Sequence, residues 1–435
     1  MGWAYLGVSL FGALFVLNAF GPRKHRFLMV PSFFASWLTI ELAGHHIAWQ
    51  AAASAVFIWF GALDTAPGWI ALGITVLQWL GLFVLIVEGR RSVTIVRDAL
   101  EEIAPEPDDA APRIPRSYIA LPFRFKRPGT RRIRNVVYGH ASGRDLKLDV
   151  YLPQEERDEA EGGAGARDEG AGRPIVMQIH GGGWVIGDKK EQGLPLLGHL
   201  AANGWVGFNV NYRLSPIAAF PDHLVDLKRA LAWIREHAHE YGADPRFVAV
   251  TGGSAGGHLT AMMALTANDP RYQPGFEDAD TSVQAAVPFY GIYDFTNRLE
   301  THPAEFVDWF IGPIVVQASY DREPERFAEA SPIDRVHADA PPFLVVHGDR
   351  DVLAPLEDAR LFVERLREAS KAPVLFAEMK GAQHAFDIFM TFRTAPVIEG
   401  VERFLHTIHQ GQLEELDEQV AEPEPEVEDT TVVAG

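Results

Sequence analysis

Apolar residues follow two different patterns along the chain, and the change between them comes near residue 90. Residues 3–20 are almost all apolar or small, and as a helix they would span about 27 Å, close to the hydrocarbon thickness of a bilayer. Residues 68–87 form a second such run, in which Gln78 is the one strongly polar interior group. Both runs therefore predict membrane-spanning helices.

The stretch between these two runs, residues 27–63, is too long for one crossing and is interrupted by polar residues at 41–46. It fits either one crossing plus an interfacial piece or two short crossings. Basic clusters at residues 23–26 and 90–97 favour the first option, because positive loops stay on the cytoplasmic side and three crossings place both clusters there. We therefore expect three crossings, with four as the alternative, and the rest of the chain in the cytoplasm.

From residue 133 onward, short β-rich runs alternate with helical patterns, which predicts a mostly parallel sheet covered by helices. Eight candidate strands are found, at residues 136–138, 146–152, 175–180, 206–211, 247–251, 285–289, 343–347 and 374–379. Between them, Leu224, Leu227 and Leu231 recur at helical spacing and are expected in the core.

Four parts follow from these patterns. They are a transmembrane helical region at 1–89, a Pro/Arg-rich linker at 90–132, an α/β domain at 133–410 and an acidic disordered tail at 411–435.

Composition removes several classes of function. The chain has 39 Lys and Arg against 58 Asp and Glu, a net charge of −19, which argues against a nucleic-acid partner. The absence of cysteine excludes disulfides, Cys-ligated zinc, iron–sulfur clusters and a thiol nucleophile. The basic stretch at 110–134 fits either anionic headgroups or a solvated linker.

The strongest chemical signal is the sequence Gly-Gly-Ser-Ala-Gly-Gly at residues 252–257, directly after a candidate strand and before an apolar helical run. This is a G-x-S-x-G elbow in strand–turn–helix context. A nucleophile raised on a tight turn needs small neighbours two residues away on either side, where Cβ atoms would collide. Ser254 is thus the candidate nucleophile, although the pentapeptide alone also fits a plain strand–helix turn.

A second signal is the sequence His-Gly-Gly-Gly-Trp at residues 180–184, which follows the third candidate strand. Consecutive glycines let backbone N–H groups approach a substrate oxygen, as an oxyanion hole requires. A phosphate loop is the competing interpretation. No Gly-Lys-Ser/Thr follows, and Ile186 stands where a dinucleotide fingerprint has its third glycine.

A serine nucleophile needs a general base that a carboxylate orients, and in this fold type the chain order is Ser, Asp or Glu, then His. Asp351 follows the seventh candidate strand and His384 follows the eighth. Asp349 is expected to cap the turn, and His347 is expected to be a structural residue at the strand end. No metal-ligand spacing is present, so neither a metal nor a cofactor is predicted.

Five motifs in one order, HGGGW, YRLSP at 212–216, GGSAGG, HGDRD and GAQHAF, resemble the hormone-sensitive-lipase-like group of α/β-hydrolase carboxylesterases. The chain is most similar to the membrane-anchored bacterial branch, and the resemblance covers residues 133–409. It implies an α/β-hydrolase fold with a Ser254, His384 and Asp351 triad. It also implies an oxyanion hole formed by three backbone N–H groups, those of Gly182, Gly183 and Ala255. Gly253 departs from the family pattern, where many members carry Asp or Thr, and this leaves substrate preference open.

The expected function is that of a membrane-anchored serine carboxylesterase, a carboxylic ester hydrolase that works through an acyl-enzyme. The expected partners are a small-molecule or lipid ester and a lipid bilayer, in the inner membrane of a bacterium. Trp184 and Tyr212 are candidate substrate-binding residues, and residues 293–330 are a candidate lid.

Three alternatives stay open. An amidase, formamidase or acyltransferase would use the same acyl-enzyme. A non-catalytic ligand-binding homologue is disfavoured because the three triad residues are all present. A transporter within residues 1–89 is disfavoured because that region has few buried polar groups.

Overall fold

The computed structural model describes residues 1–25, 27–103, 114, 116–154, 172–302 and 306–421. The first 100 residues form five helices: α1 Gly2–Phe20, α2 Met29–Glu41, α3 Ala43–Trp59, α4 Ala66–Arg90 and α5 Ser92–Leu100. The α-helices that follow in the described residues are α6 Arg116–Ala120, α7 Leu194–Ala202, α8 Asp222–His237, α9 Ala255–Leu265, α10 Pro324–Glu329, α11 Leu356–Ala369 and α12 Thr394–Ala421, and a π-helix covers Val307–Val316.

One eight-stranded sheet organises the α/β domain. Its strands are β1 Thr130–Ala141, β2 Arg144–Pro153, β3 Arg173–Ile179, β4 Val206–Val210, β5 Ala243–Gly253, β6 Ala285–Phe289, β7 Phe343–Gly348 and β8 Val374–Met379. Their spatial order is β1-β2-β4-β3-β5-β6-β7-β8. Strands β1 and β2 pair antiparallel, as do β2 and β4, and all the other pairs are parallel. The predicted α/β-hydrolase sheet is confirmed.

The largest difference from the predicted strands is at β1, which begins at Thr130 instead of residue 136. Its first half is polar apart from Ile133, and all of its positions are exposed or half-buried. Such a strand, paired only with β2 at the sheet edge, lacks the apolar alternation by which a strand is found.

Both faces of the sheet are covered by helices, and side chains alternate between them along each strand. On β3, Ile175 and Met177 pack with α8, α9 and α11, whereas Val176 packs on the opposite side with α5, α7 and α12. The predicted helical stripe of Leu224, Leu227 and Leu231 is fully buried in the first of these layers.

The parallel strands end at one edge of the sheet, which is where the predicted site residues lie. Neighbouring strand ends are in register there: Ile179 pairs with Gly252, Gly253 with Phe289, and Gly348 with Met379. The loops after β3, β5, β7 and β8 therefore lie at the same edge of the sheet, where ligands bind in open α/β sheets.

Helices α1 to α4 form a bundle that we call the helical region. Helix α1 and the continuous helix of α4 and α5 are long and apolar enough to cross a membrane. Helix α1 runs parallel to α4, since a Cβ on Gly2 would touch Gly68 and a Cβ on Gly81 would touch Val16. Helix α3 runs in the opposite direction beside them, with Tyr5 Oη donating to Ser54 Oγ at 2.9 Å.

Two helices extend into the predicted linker and the predicted tail. The predicted linker contains α5, whose Val96 and Leu100 are buried against α12, because these two residues form an apolar stripe of helical spacing. Helix α12 continues to Ala421, eleven residues into the predicted tail, and Gln412 Nε2 donates to Arg246 O at 3.2 Å. Residues 155–171 and 422–435 lie outside the described residues, and the division into four parts stays a prediction.

Candidate active site

Ser254 stands on the turn between β5 and α9 in a strained conformation, with φ 60° and ψ −122°. Two glycines make this turn possible. A Cβ on Gly252 would lie 2.6 Å from Ile179 O, and one on Gly256 would lie 2.2 Å from the same oxygen. The backbone of β3 thus passes so close to the elbow that larger residues would not fit. Ser254 N donates to Phe289 O at 3.0 Å, and the side chain is half-buried at the strand edge.

The structure brings His384 and Asp351 together. His384 Nδ1 lies 2.7 Å from Asp351 Oδ2, and the other carboxylate oxygen accepts the N–H groups of Leu353 and Ala354 at 2.8 Å each. Burial acts to raise the pKa of Asp351, but His384 and these hydrogen bonds outweigh it and hold the pKa below its ordinary value. An ionised carboxylate only accepts hydrogen bonds, so the proton lies on Nδ1 and Nε2 is the basic nitrogen.

Tyr290 packs against both the imidazole of His384 and the elbow. Its ring centroid is 4.6 Å from that of His384, and a Cβ on Gly253 would lie 2.6 Å from its Oη. Tyr290 Oη also donates a short hydrogen bond to Asp387 Oδ1. This packing explains the departure at Gly253, because any side chain at that position would collide with Tyr290.

The loop of residues 180–184, which we call the glycine loop, runs beside Ser254. A Cβ on Gly181 would lie 3.0 Å from Ser254 Cβ, and Gly181 N donates to Gln192 Oε1 at 2.6 Å. Gly182 and Gly183 have φ values of 115° and 60°, in the region that favours glycine. Gly182 and Gly183 lie in this loop, and Ala255 begins α9 directly after Ser254.

Trp184 and Tyr212 lie behind the loop. The Trp184 side chain is 1% exposed, and its Nε1 donates to His258 Nδ1 at 3.3 Å. Tyr212 stacks on His180 at 4.6 Å and its Oη donates to His180 O at 3.0 Å. Both side chains therefore support the loop from the core, and their predicted contact with substrate stays a prediction.

The remaining charged residues of these loops have supporting positions. Asp349 accepts the N–H of Gly381 at 2.6 Å and pairs with Lys380 at 2.8 Å, which fits the predicted turn cap. His347 is fully buried, with Nε2 2.9 Å from Ala354 O, and burial lowers its pKa. Within the described residues, no group of three or more His, Asp or Glu side chains is placed to hold a metal.

Gln383 is a residue of the site that the sequence interpretation did not assign a role. Its Oε1 accepts the N–H of His384 at 2.9 Å and that of Val352 at 3.1 Å, so one amide holds the two loops that carry His384 and Asp351. The available signal was its position directly before the predicted histidine.

The sheet, the strained serine elbow and the glycine loop at the strand edge define an α/β-hydrolase. Residues 163–366 match the BD-FAE family model. The chain is 50% identical over 239 residues to the probable carboxylic ester hydrolase LipM of Mycobacterium tuberculosis, a match that covers 55% of each chain. It is 47% identical over 236 residues to the esterase LipQ of the same organism, covering 54% of this chain and 56% of LipQ.

The solved structure of a truncated carbohydrate esterase from gut microbiota shares the fold, with a TM-score of 0.51 and 24% identity, over 63% of this chain and 96% of that one. The predicted resemblance to the hormone-sensitive-lipase-like carboxylesterases is confirmed by these matches, and the named relatives are ester hydrolases, as predicted. The matched part spans about half the length of the curated relatives.

Proposed function

We propose that the protein hydrolyses carboxylic esters through a Ser254, His384 and Asp351 triad. The observation that carries this proposal is the 2.7 Å contact between His384 Nδ1 and the buried carboxylate of Asp351, at the same edge of the sheet as a serine on a strained elbow. The names of the relatives support the reaction class.

In the proposed reaction, Ser254 Oγ attacks the ester carbonyl while His384 Nε2 accepts its proton. The amides of Gly182, Gly183 and Ala255 stabilise the oxyanion, and each such donor contributes about 10²- to 10³-fold in rate. His384 then protonates the leaving alcohol, leaving an acyl-enzyme. A water molecule, deprotonated by His384, attacks the acyl carbonyl and restores the serine.

Membrane anchoring is part of the proposal. Helices α1 and α4 are parallel, and both end at the α/β domain. Arg350 Nη1 donates to Ala19 O near the end of α1 at 3.4 Å, and it lies 3.0 Å from Glu88 Oε2 near the end of α4. Parallel neighbours require one return crossing, which α3 supplies with 17 residues, or about 26 Å. This arrangement supports three crossings, with α2 as the interfacial piece and the α/β domain beside the basic clusters, on the cytoplasmic side of a bacterial inner membrane.

Turnover of p-nitrophenyl acyl esters by the full chain in detergent tests the proposed chemistry. Ser254→Ala should lower turnover by at least about 10⁴-fold and abolish labelling by a fluorophosphonate, with unchanged thermal unfolding. Ser282→Ala serves as the matched control, because Ser282 precedes β6 and lies at the opposite end of the parallel strands from Ser254. Retained turnover in Ser254→Ala would overturn the assignment.

Two further comparisons separate the related activities. Faster turnover of amides than of esters would indicate an amidase, and acyl transfer to added alcohol in preference to water would indicate an acyltransferase. A series of acyl lengths, offered in micelles and in vesicles, distinguishes a small ester from a lipid ester. Protease accessibility of the C-terminal segment in oriented vesicles tests the side of the membrane.

A further inference from the structure

One face of helix α2 lies against the loop that carries His384. The ring of Phe33 meets the imidazole edge-on at 6.0 Å, and Ser36 and Trp37 contact the residues on either side of it. These three residues are spaced i, i+3 and i+4, so they share a helix face. Val30, Phe34 and Leu38, on another side of α2, are exposed apolar residues.

Ser36 contacts the loop through Gln383. Gln383 Nε2 donates to Ser36 Oγ at 2.9 Å, and Ser36 Oγ in turn donates to Ser32 O at 2.7 Å. The amide is fully buried, and its Oε1 already accepts the N–H groups of His384 and Val352. The orientation of the Gln383 amide is therefore fixed, because a rotated amide would turn its NH₂ toward two N–H donors. The Ser36 hydroxyl accepts from this amide, since its own hydrogen points to Ser32 O at 2.7 Å or Phe33 O at 3.0 Å.

Trp37 holds the other side of the histidine. Its Nε1 donates to Ala385 O at 2.9 Å, and its ring stacks on Phe389 at 5.0 Å. Ala385 has a φ of 60°, a left-handed conformation that a residue with a Cβ rarely adopts. Such a conformation persists only where the surroundings hold it, and here α2 is one of those surroundings.

The same face continues one turn further along α2. Glu41 Oε1 lies 3.1 Å from Arg393 Nε, and its other oxygen accepts from Thr391 Oγ1 at 3.0 Å. The two charged side chains are buried, at 1% and 2% exposure. Helix α2 is thus fastened to both ends of the segment 383–393.

We propose that Ser36 of α2 is a positioning residue for His384, acting through Gln383. The helical region then forms part of the active site. This rests on the proposed function, in which His384 is the general base. Ser36 touches neither substrate nor the reacting atoms. It orients the Gln383 amide, and that amide keeps the loops of His384 and Asp351 in register.

The test compares three variants of the full chain in detergent micelles. Ser36→Ala removes the acceptor for Gln383 and should lower kcat about 5- to 10-fold, the effect of one lost buried hydrogen bond, with KM changed less than 2-fold. Ser36→Thr keeps the hydroxyl and should restore most of kcat. Thr39→Ala is the matched control, because Thr39 is also buried on α2 but donates to Ala35 O within the helix.

The rate of Ser254 labelling by a fluorophosphonate is a second readout that needs no ester substrate. It should fall in Ser36→Ala by the same factor as kcat. In the double variant Ser36→Ala/Gln383→Ala, the loss should equal that of Gln383→Ala alone, because the two residues act through one contact.

Wild-type kcat and labelling rate in Ser36→Ala would overturn the inference. So would equal losses in Ser36→Ala and Thr39→Ala, or a loss that Ser36→Thr does not restore, since either result would indicate general damage to the helix. Failure of the proposed function has a different signature: a wild-type chain that turns over no ester. In that case the labelling rate still tests Ser36.

Discussion

The helical region exposes many of its large apolar side chains on its surface, whereas the α/β domain buries them in its core. In the helical region Trp3, Leu17 and Leu77 are exposed at 76%, 68% and 67%, whereas Tyr5, Ser9 and Thr75 meet in the interior through hydrogen bonds. In the α/β domain Phe208 and Val250 are fully buried. One chain thus carries two solvent preferences, and the first suits hydrocarbon, where helices associate through small and polar contacts.

The contact between the two regions includes buried polar side chains from both of them. Glu41 and Arg393, like Ser36 and Gln383, are buried between α2 and the loop after β8. Buried polar groups of this kind add little net stability compared with apolar packing, but each requires its partner. The junction is therefore specific: α2 docks in one position on the α/β domain.

The largest expected effect is the loss of stability when the contact between Glu41 and Arg393 is broken. Arg393→Met leaves Glu41 buried without its cation and should destabilise the folded protein by about 3–5 kcal/mol, measured by thermal unfolding in detergent. The double variant Glu41→Leu/Arg393→Met removes both charges and should recover most of that loss. A single variant as stable as the wild type would mean that α2 does not dock as described.

A smaller effect concerns a charge buried inside the α/β domain itself. Lys228 is fully buried, with Nζ bonded to Thr266 O and to Thr281 Oγ1, and burial lowers its pKa to about 8. In the unfolded chain the value is about 10.4, so between these pH values the unfolded state binds more protons and stability rises with pH. The full rise from Lys228 is about 3 kcal/mol.

Stability curves at pH 7 to 10.5 measure that rise, with Lys228→Met as the comparison. The variant should lack the wild-type increment, because Met does not titrate. Parallel curves for the two proteins would show that the lysine keeps an ordinary pKa.

The smallest effect sharpens the contrast between the regions. Leu77→Ala, at an exposed position of α4, should change the unfolding free energy in detergent by less than about 0.5 kcal/mol. Leu227→Ala, at a fully buried position of α8, should cost about 2–5 kcal/mol in the same measurement. An equally costly Leu77→Ala would indicate that α4 packs against protein at that position, as in an oligomer.

The sequence by itself determined the features that depend on neighbouring residues. The two long apolar runs, the eight-stranded α/β pattern and the elbow glycines at 252 and 256 follow from periodicity and local sterics. The chain order of Ser254, Asp351 and His384 follows from motifs, and the parallel direction of β5, β7 and β8 brings their loops to one edge of the sheet. The weakly patterned segments are not predicted by the sequence: the polar half of β1, helix α5 within the predicted linker and the extension of α12.

Only the tertiary structure decided which surfaces meet. The side chains of Trp184 and Tyr212 are buried in the core. A side chain at position 253 would collide with Tyr290, which lies 37 residues later in the chain. The contact between Ser36 and Gln383 joins positions 347 residues apart. No local pattern encodes such a contact, because the spacing on α2 shows that a face exists but not what covers it. That choice depends on packing and on the pairing of buried polar groups, which exist only once the chain has folded.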